Sequence, residues 1–135
     1  MGSRRKGREF ALQALYLSDI TKLPEQRAFR SLTRGAELDE KSREFAEALA
    51  AGALKERDKL DETIKRYAQN WDIDRMAALD RNILRLGAYE ILFELDTPVS
   101  VIIDEAVEIA KTFSTGDSGK FVNGILDRIK DERKK

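Results

Sequence analysis

The 135 residues suit one compact domain or two tightly packed helical subdomains, and a 41% hydrophobic share beside 37% charged residues provides a core beneath a heavily charged shell. Lys+Arg and Asp+Glu both number 25, so no net field draws polyanions and any nucleic-acid binding has to come from local clustering. Cysteine and histidine are both absent, which excludes disulfides, thiolate metal sites and Ser-His or Cys-His nucleophiles; no enzyme, cofactor or metal site is expected, and the lack of cysteine fits a reducing cytoplasm.

Two prolines and eight glycines are the main punctuation, and alternating β-branched runs are missing, so the expected fold class is all-α. A first helix is predicted over residues 5–18, with Phe10, Ala14 and Leu17 on its core face and Ala11 and Leu15 beside them. The basic start followed by residues 10–17 has the outline of a signal sequence, but Gln13 interrupts it and no small-residue cleavage pattern follows. Pro24 fits the first turn of a short second helix carrying Ala28, Phe29 and Leu32, ended by Gly35. Asp39 or Lys41 then opens a long helical stretch with Phe45, Leu49, Ala53, Leu60, Ile64, Tyr67 and Trp71 at helical steps, which Gly52 is expected to bend or thin.

Asp72 or Asp74 is positioned to cap the next segment, whose Met76, Leu79, Ile83, Leu84, Leu86, Ile91, Leu92, Phe93 and Leu95 leave little polar circumference and predict a central, buried helix. Its few polar positions, Asp80, Arg81, Arg85, Glu90 and Glu94, read as a solvated edge. Asp96-Thr97-Pro98 stops that helix and starts another with Ile102, Ala106, Ile109 and Phe113 inward. Residues 114–119 read as a loop, with Gly116 as a helix stop and Asp117 or Ser118 as the next N-cap. The last helix buries Val122, Ile125, Leu126 and Ile129, and residues 130–135 form a charged tail expected to fray. No run approaches the roughly 18 apolar residues of a membrane span.

Two features stand out chemically. Arg4, Arg5, Lys6 and Arg8 are the strongest local charge asymmetry, and in projection Arg5, Arg8, Leu12 and Tyr16 share a stripe roughly opposite the core face. Spacing leaves two readings open, a solvated tail or a phosphate-binding stripe beside a stacking tyrosine. The second feature is Gly119-Lys120-Phe121-Val122-Asn123-Gly124, where Phe121 either widens the core stripe or offers a stacking surface beside the Lys120 charge. Asp104, Glu105 and Glu108 suit the first half of a helix, with Lys111 placed to pair with Glu108, and read as helix-surface acids rather than a cation site. Carboxylate-only catalysis would need two opposed acids in a cleft, which this surface spacing does not suggest.

Arg4-Arg5-Lys6-Gly7-Arg8-Glu9-Phe10-Ala11-Leu12-Gln13-Ala14-Leu15-Tyr16 resembles the opening of the bacterial transcription antitermination factors of the NusB family. Asp80-Arg81-Asn82-Ile83-Leu84-Arg85-Leu86-Gly87-Ala88-Tyr89-Glu90, Ile103-Asp104-Glu105-Ala106-Val107-Glu108-Ile109-Ala110-Lys111 and Gly119-Lys120-Phe121-Val122-Asn123-Gly124-Ile125-Leu126 are similar to its later signatures, in the same order. The resemblance implies about seven helices in two stacked bundles, with residues 1–135 as a single RNA-binding domain. It also implies recognition of boxA-type single-stranded RNA together with NusE, a small-subunit ribosomal protein, and entry into the elongating RNA polymerase complex. By the same resemblance Arg4, Arg5, Lys6, Arg8, Asp117, Lys120 and Phe121 would face RNA, and Tyr16 and Asp80 a protein partner. The two basic-aromatic clusters would converge if the first and last helices pack side by side. Gly7 stands where the family often has alanine, at an expected cost of about 1 kcal/mol to the start of the helix.

Three alternatives accompany this reading. A pure protein scaffold would leave the arginines solvated, and a helical domain of the kind found ahead of RNA cytosine methyltransferases would need an α/β cofactor domain. A homodimer would bury the first helix and hide the RNA site.

Overall fold

The hydrophobic steps become seven α-helices among residues 3–134, the part of the chain described in the computed structural model: α1 (Ser3–Thr21), α2 (Glu25–Thr33), α3 (Glu40–Lys55), α4 (Arg57–Tyr67), α5 (Ala78–Phe93), α6 (Val99–Phe113) and α7 (Gly116–Ile129). Short 3₁₀ turns cover Ile73–Arg75 and Lys130–Lys134. Helices α1, α2 and α3 pack on one another; α4, α6 and α7 pack around α5, and α5 also lies against α1 and α3. That position explains its composition. An element touched on all sides has no face to give to water, and Ile83, Leu84, Leu86, Ala88 and Ile91 are all buried. Each such Leu or Ile contributes about 1.5–3 kcal/mol of hydrophobic burial.

Local chemistry sets most boundaries. The Asp39 carboxylate accepts from the Ser42 amide at 2.7 Å and starts α3. Gly35 follows α2 at φ 76°, the left-handed conformation that a glycine adopts without strain. Pro24 and Pro98 stand at the N-caps of α2 and α6, one residue before the position expected for Pro24.

Elsewhere the structure departs from the pattern. The long stretch after Asp39 breaks at Glu56, between α3 and α4, and not at Gly52. At Gly52 a Cβ would lie 2.2 Å from the Tyr89 hydroxyl, so that glycine admits the ring of α5 rather than bending α3. Trp71 lies beyond α4 and is 58% exposed, since the helix ends at Tyr67. Asp72 caps the 3₁₀ turn and not α5. The expected loop at 114–119 shrinks because Thr115 is the N-cap, accepting from the Ser118 amide, so Gly116, Asp117 and Ser118 already belong to α7.

The charged tail forms the Lys130–Lys134 turn and is held by Glu132 and Arg133; Lys135 lies outside the described residues. Arg133 donates to the carbonyls of Glu90, Ile91, Glu94 and Thr97, satisfying the end of α5 and its link to α6. Glu132 meets the Tyr67 hydroxyl and Arg66. Fraying was the wrong expectation because these partners are far away in sequence.

Candidate nucleic-acid interface

The four basic residues of α1 have unlike surroundings. Arg4 and Lys6 are exposed, and the Arg4 guanidinium sits 4.2 Å from the centre of the Phe45 ring. Gly7 makes this possible: a Cβ there would approach the ring to 2.8 Å and the Ser42 carbonyl to 3.3 Å, so its absence lets α1 close on α3. Helix α1 runs through Gly7 without a break.

Arg8 is buried, contrary to its expected place on an outward stripe. Its Nε and Nη2 donate to the two oxygens of Glu90, each at 2.9 Å, and Nη1 reaches Glu105 at 3.4 Å. Leu12, on the same stripe, is also fully buried. The core face of α1 is therefore Arg8, Ala11, Leu12, Ala14 and Leu15, while Phe10 and Leu17 are only half-buried. The shift follows from α5, which presents Glu90 and an apolar surface to what the isolated helix pattern takes for its polar side. Arg5, half-buried, donates to Glu105 through Nε at 3.0 Å and through Nη2. Hydrogen bonding from Arg5 holds the Glu105 carboxyl below its ordinary range against the opposing effect of burial. These side chains border a cavity of about 540 Å³ lined by Arg4, Arg5, Arg8, Asp96, Thr97, Val101 and Glu105.

A second cavity, of about 280 Å³, opens where α5 and α7 begin, and is lined by Trp71, Arg75, Met76, Asp80, Asp117 and Phe121 among others. Phe121 is half-buried and meets Trp71 edge to face, with ring centroids 5.1 Å apart. Both readings of Phe121 survive in part: one side packs on the core, the other lines this cavity. Asp80 accepts from the Ser118 hydroxyl at 3.2 Å through Oδ2, while its Oδ1 is buried without a partner. Asp117 and Lys120 are exposed. The two clusters do not converge on one pocket. Helix α1 packs on α2, α3 and α5, and α7 on α4, α5 and α6; the second cavity includes Ala77 and Asp80 at the start of α5, the first Asp96 and Thr97 just past its end, and they share no lining residue.

The polar positions of α5 are not a solvated edge. Arg85 forks onto Asp61 at 2.7 and 3.0 Å and also reaches Asp19, which takes further bonds from Arg81 and Asn82. Burial pushes the Asp19 carboxyl up, but the hydrogen bonds from Arg81 and Asn82 and the charges of Arg81 and Arg85 outweigh it, leaving its pKa at about 2. Tyr16, one turn before Asp19 on α1, is half-buried. Glu108 pairs with Lys111 at 3.2 Å, as its spacing suggests, and no cluster of three or more metal-ligating side chains occurs among the described residues.

Sequence reasoning missed Glu90, Glu105 and Trp71 as parts of these sites. An acid on an otherwise apolar helix was the available signal for Glu90. Glu105 gave none apart from its neighbours, because its partners are about a hundred residues away. Among the described residues no helix is long and apolar enough to cross a membrane.

The sequence pattern of the NusB family matches residues 5–131. The transcription antitermination protein NusB of Symbiobacterium thermophilum is 50% identical, over 94% of this chain and 88% of its own. NusB from T. maritima superposes with a TM-score of 0.89 at 40% identity, covering 96% of this chain and 91% of that one. A chain of the crystal structure of antitermination factors NusB and NusE in complex with dsRNA gives a TM-score of 0.89 at 26% identity, covering 96% of this chain and 97% of its own.

Proposed function

The chain belongs to the NusB family, and we propose that it is an RNA-binding transcription antitermination factor, acting by recognition and assembly rather than catalysis. With NusE it recognises boxA-type single-stranded RNA of ribosomal RNA transcripts and joins the elongating RNA polymerase complex, the whole chain serving as one RNA-binding domain. The observation that carries this reading is the whole-length likeness to a protein crystallised with NusE and dsRNA. The two cavities supply matching chemistry. Arg4 and Arg5 offer charge to phosphates at the first, with Lys6 exposed on the same helix, and Phe121, beside Asp117 and Trp71, offers an aromatic face at the second, next in sequence to the exposed Lys120. Arg8 supports the first from beneath, held in its buried pair with Glu90. Tyr16 and Asp80 are the positions we assign to the protein partner.

Replacing Arg4, Lys120 and Phe121 together with alanine weakens binding of a boxA-like single-stranded RNA by at least about tenfold, read by fluorescence anisotropy at fixed salt, without unfolding the protein. Unchanged affinity sinks the assignment. Arg8 is left out deliberately, since its removal would strand a buried carboxylate and cost about 3–5 kcal/mol of stability. A homodimer covering the first cavity is the second reading, favoured by the exposure of Val101 on the cavity wall and of Leu95 beside Asp96. Light scattering with and without RNA separates the two, because RNA would dissociate such a dimer.

A further inference from the structure

Arg5 and Arg8 are both satisfied within the chain, but unequally. Arg8 and Glu90 form a parallel fork, with side chains 5% and 3% exposed. Arg5 instead directs Nε and Nη2 onto one oxygen of Glu105, and its side chain is 30% exposed. The other Glu105 oxygen reaches Arg8 at 3.4 Å. Glu105 is thus an oxyanion bridging two guanidiniums at the wall of an open cavity, the arrangement in which arginines hold a phosphate. Breaking the Arg8–Glu90 fork would leave a buried charge uncompensated, so that pair stays. The Arg5–Glu105 pair is open to water on one side and can exchange.

We propose that Glu105 occupies the place of an RNA phosphate, so that RNA gains Arg5 only by displacing the Glu105 carboxylate, and this residue sets the affinity and salt dependence of the interface. The inference rests on the RNA-binding reading above. A phosphodiester brings one charge to Arg5 in exchange for the one it displaces, and the released carboxylate then repels the strand. Weak or isolated anions therefore gain little at this site. A strand that also engages Arg4, on the wall of the same cavity, gains enough from that cation to make the exchange.

The test is a double-mutant cycle on Glu105→Gln and Arg5→Ala, with binding of a labelled single-stranded RNA oligonucleotide followed by anisotropy between about 50 and 200 mM salt. Glutamine keeps the shape and an acceptor oxygen but removes the charge; Glu105→Ala serves if glutamine unfolds the protein. E105Q is expected to bind about fivefold tighter at the low-salt end, with a slope of log affinity against log salt steeper by about 0.7. Both gains shrink on an Arg5→Ala background, where only the repulsion between Glu105 and the strand is left to remove. Glu62→Gln, an exposed α4 residue with the same change in net charge, produces neither. Equal or weaker RNA binding by E105Q than by the unmodified protein, or a gain that is undiminished without Arg5, overturns the proposal while leaving RNA binding intact. If neither form binds RNA, the functional reading itself falls, and this inference with it.

Discussion

Asp19 shows how much a single buried charge can carry. Its carboxylate takes hydrogen bonds from Arg81, Asn82 and Arg85, and its pKa lies at about 2 against an ordinary 3.8. A folded-state value below the unfolded one favours the folded state whenever the group is ionised. The stabilisation is therefore complete above about pH 4 and is lost as pH falls through about 2, amounting to about 2 kcal/mol. Asp19→Asn is expected to flatten the acid limb of stability measured by urea unfolding between pH 5 and 2. At neutral pH it costs about 3 kcal/mol, because Arg81 and Arg85 lose a buried partner. An unaltered acid limb would mean that Asp19 does not make these bonds in solution. In the sequence this residue was invisible, as one acid near the end of a helix.

At the scale of elements, glycines separate packing from propensity. Gly52 and Gly124 are both helical, and propensity alone favours alanine at each by about 1 kcal/mol. A Cβ at Gly52 would collide with the Tyr89 hydroxyl and ring at 2.2 and 2.4 Å, whereas one at Gly124 meets nothing within 4 Å. Gly52→Ala is expected to destabilise by about 1–3 kcal/mol by prising α3 from α5, and Gly124→Ala to stabilise by about 0.5–1 kcal/mol. Thermal melting of the two variants checks both signs. The helical segments and their order were legible because hydrophobic spacing is a local property, but spacing ran α3 and α4 together as one stretch, and the count of seven came from the family resemblance. The ends that slipped at Thr115 and Tyr67 are places where several capping or breaking residues compete within a few positions, whereas the break at Glu56 has no glycine, proline or side-chain cap to mark it.

For the whole molecule, α5 is shared by both halves, and Arg133 returns the end of the chain to the α5–α6 junction. The halves should unfold together. Far-UV circular dichroism, which reports every helix, and fluorescence of the single tryptophan, Trp71, should give coincident midpoints. Arg133→Ala should lower both equally, at a cost of about 1–3 kcal/mol, chiefly for the Ile91 and Thr97 carbonyls, since those of Glu90 and Glu94 also accept from backbone amides. Separate midpoints would show that the two halves fold independently. The same junction supplies Asp96 and Thr97 to the wall of the arginine-lined cavity, so the end of the chain helps to shape a site begun by its first helix.

The sequence by itself determined the helical class, the order of the helices, the central apolar one, and the segments through which the family is identified. Each is written in spacing and residue type over a short window. Only the tertiary structure decided that Arg8 points inward to Glu90, that Glu105 holds Arg5, and that Phe121 shares its cavity with Trp71 while the arginines share theirs with the α5–α6 junction. Those outcomes depend on which charges and rings meet across scores of residues. Helical projection orders side chains around one axis, but it takes the approach of a second helix to say which of them will face water.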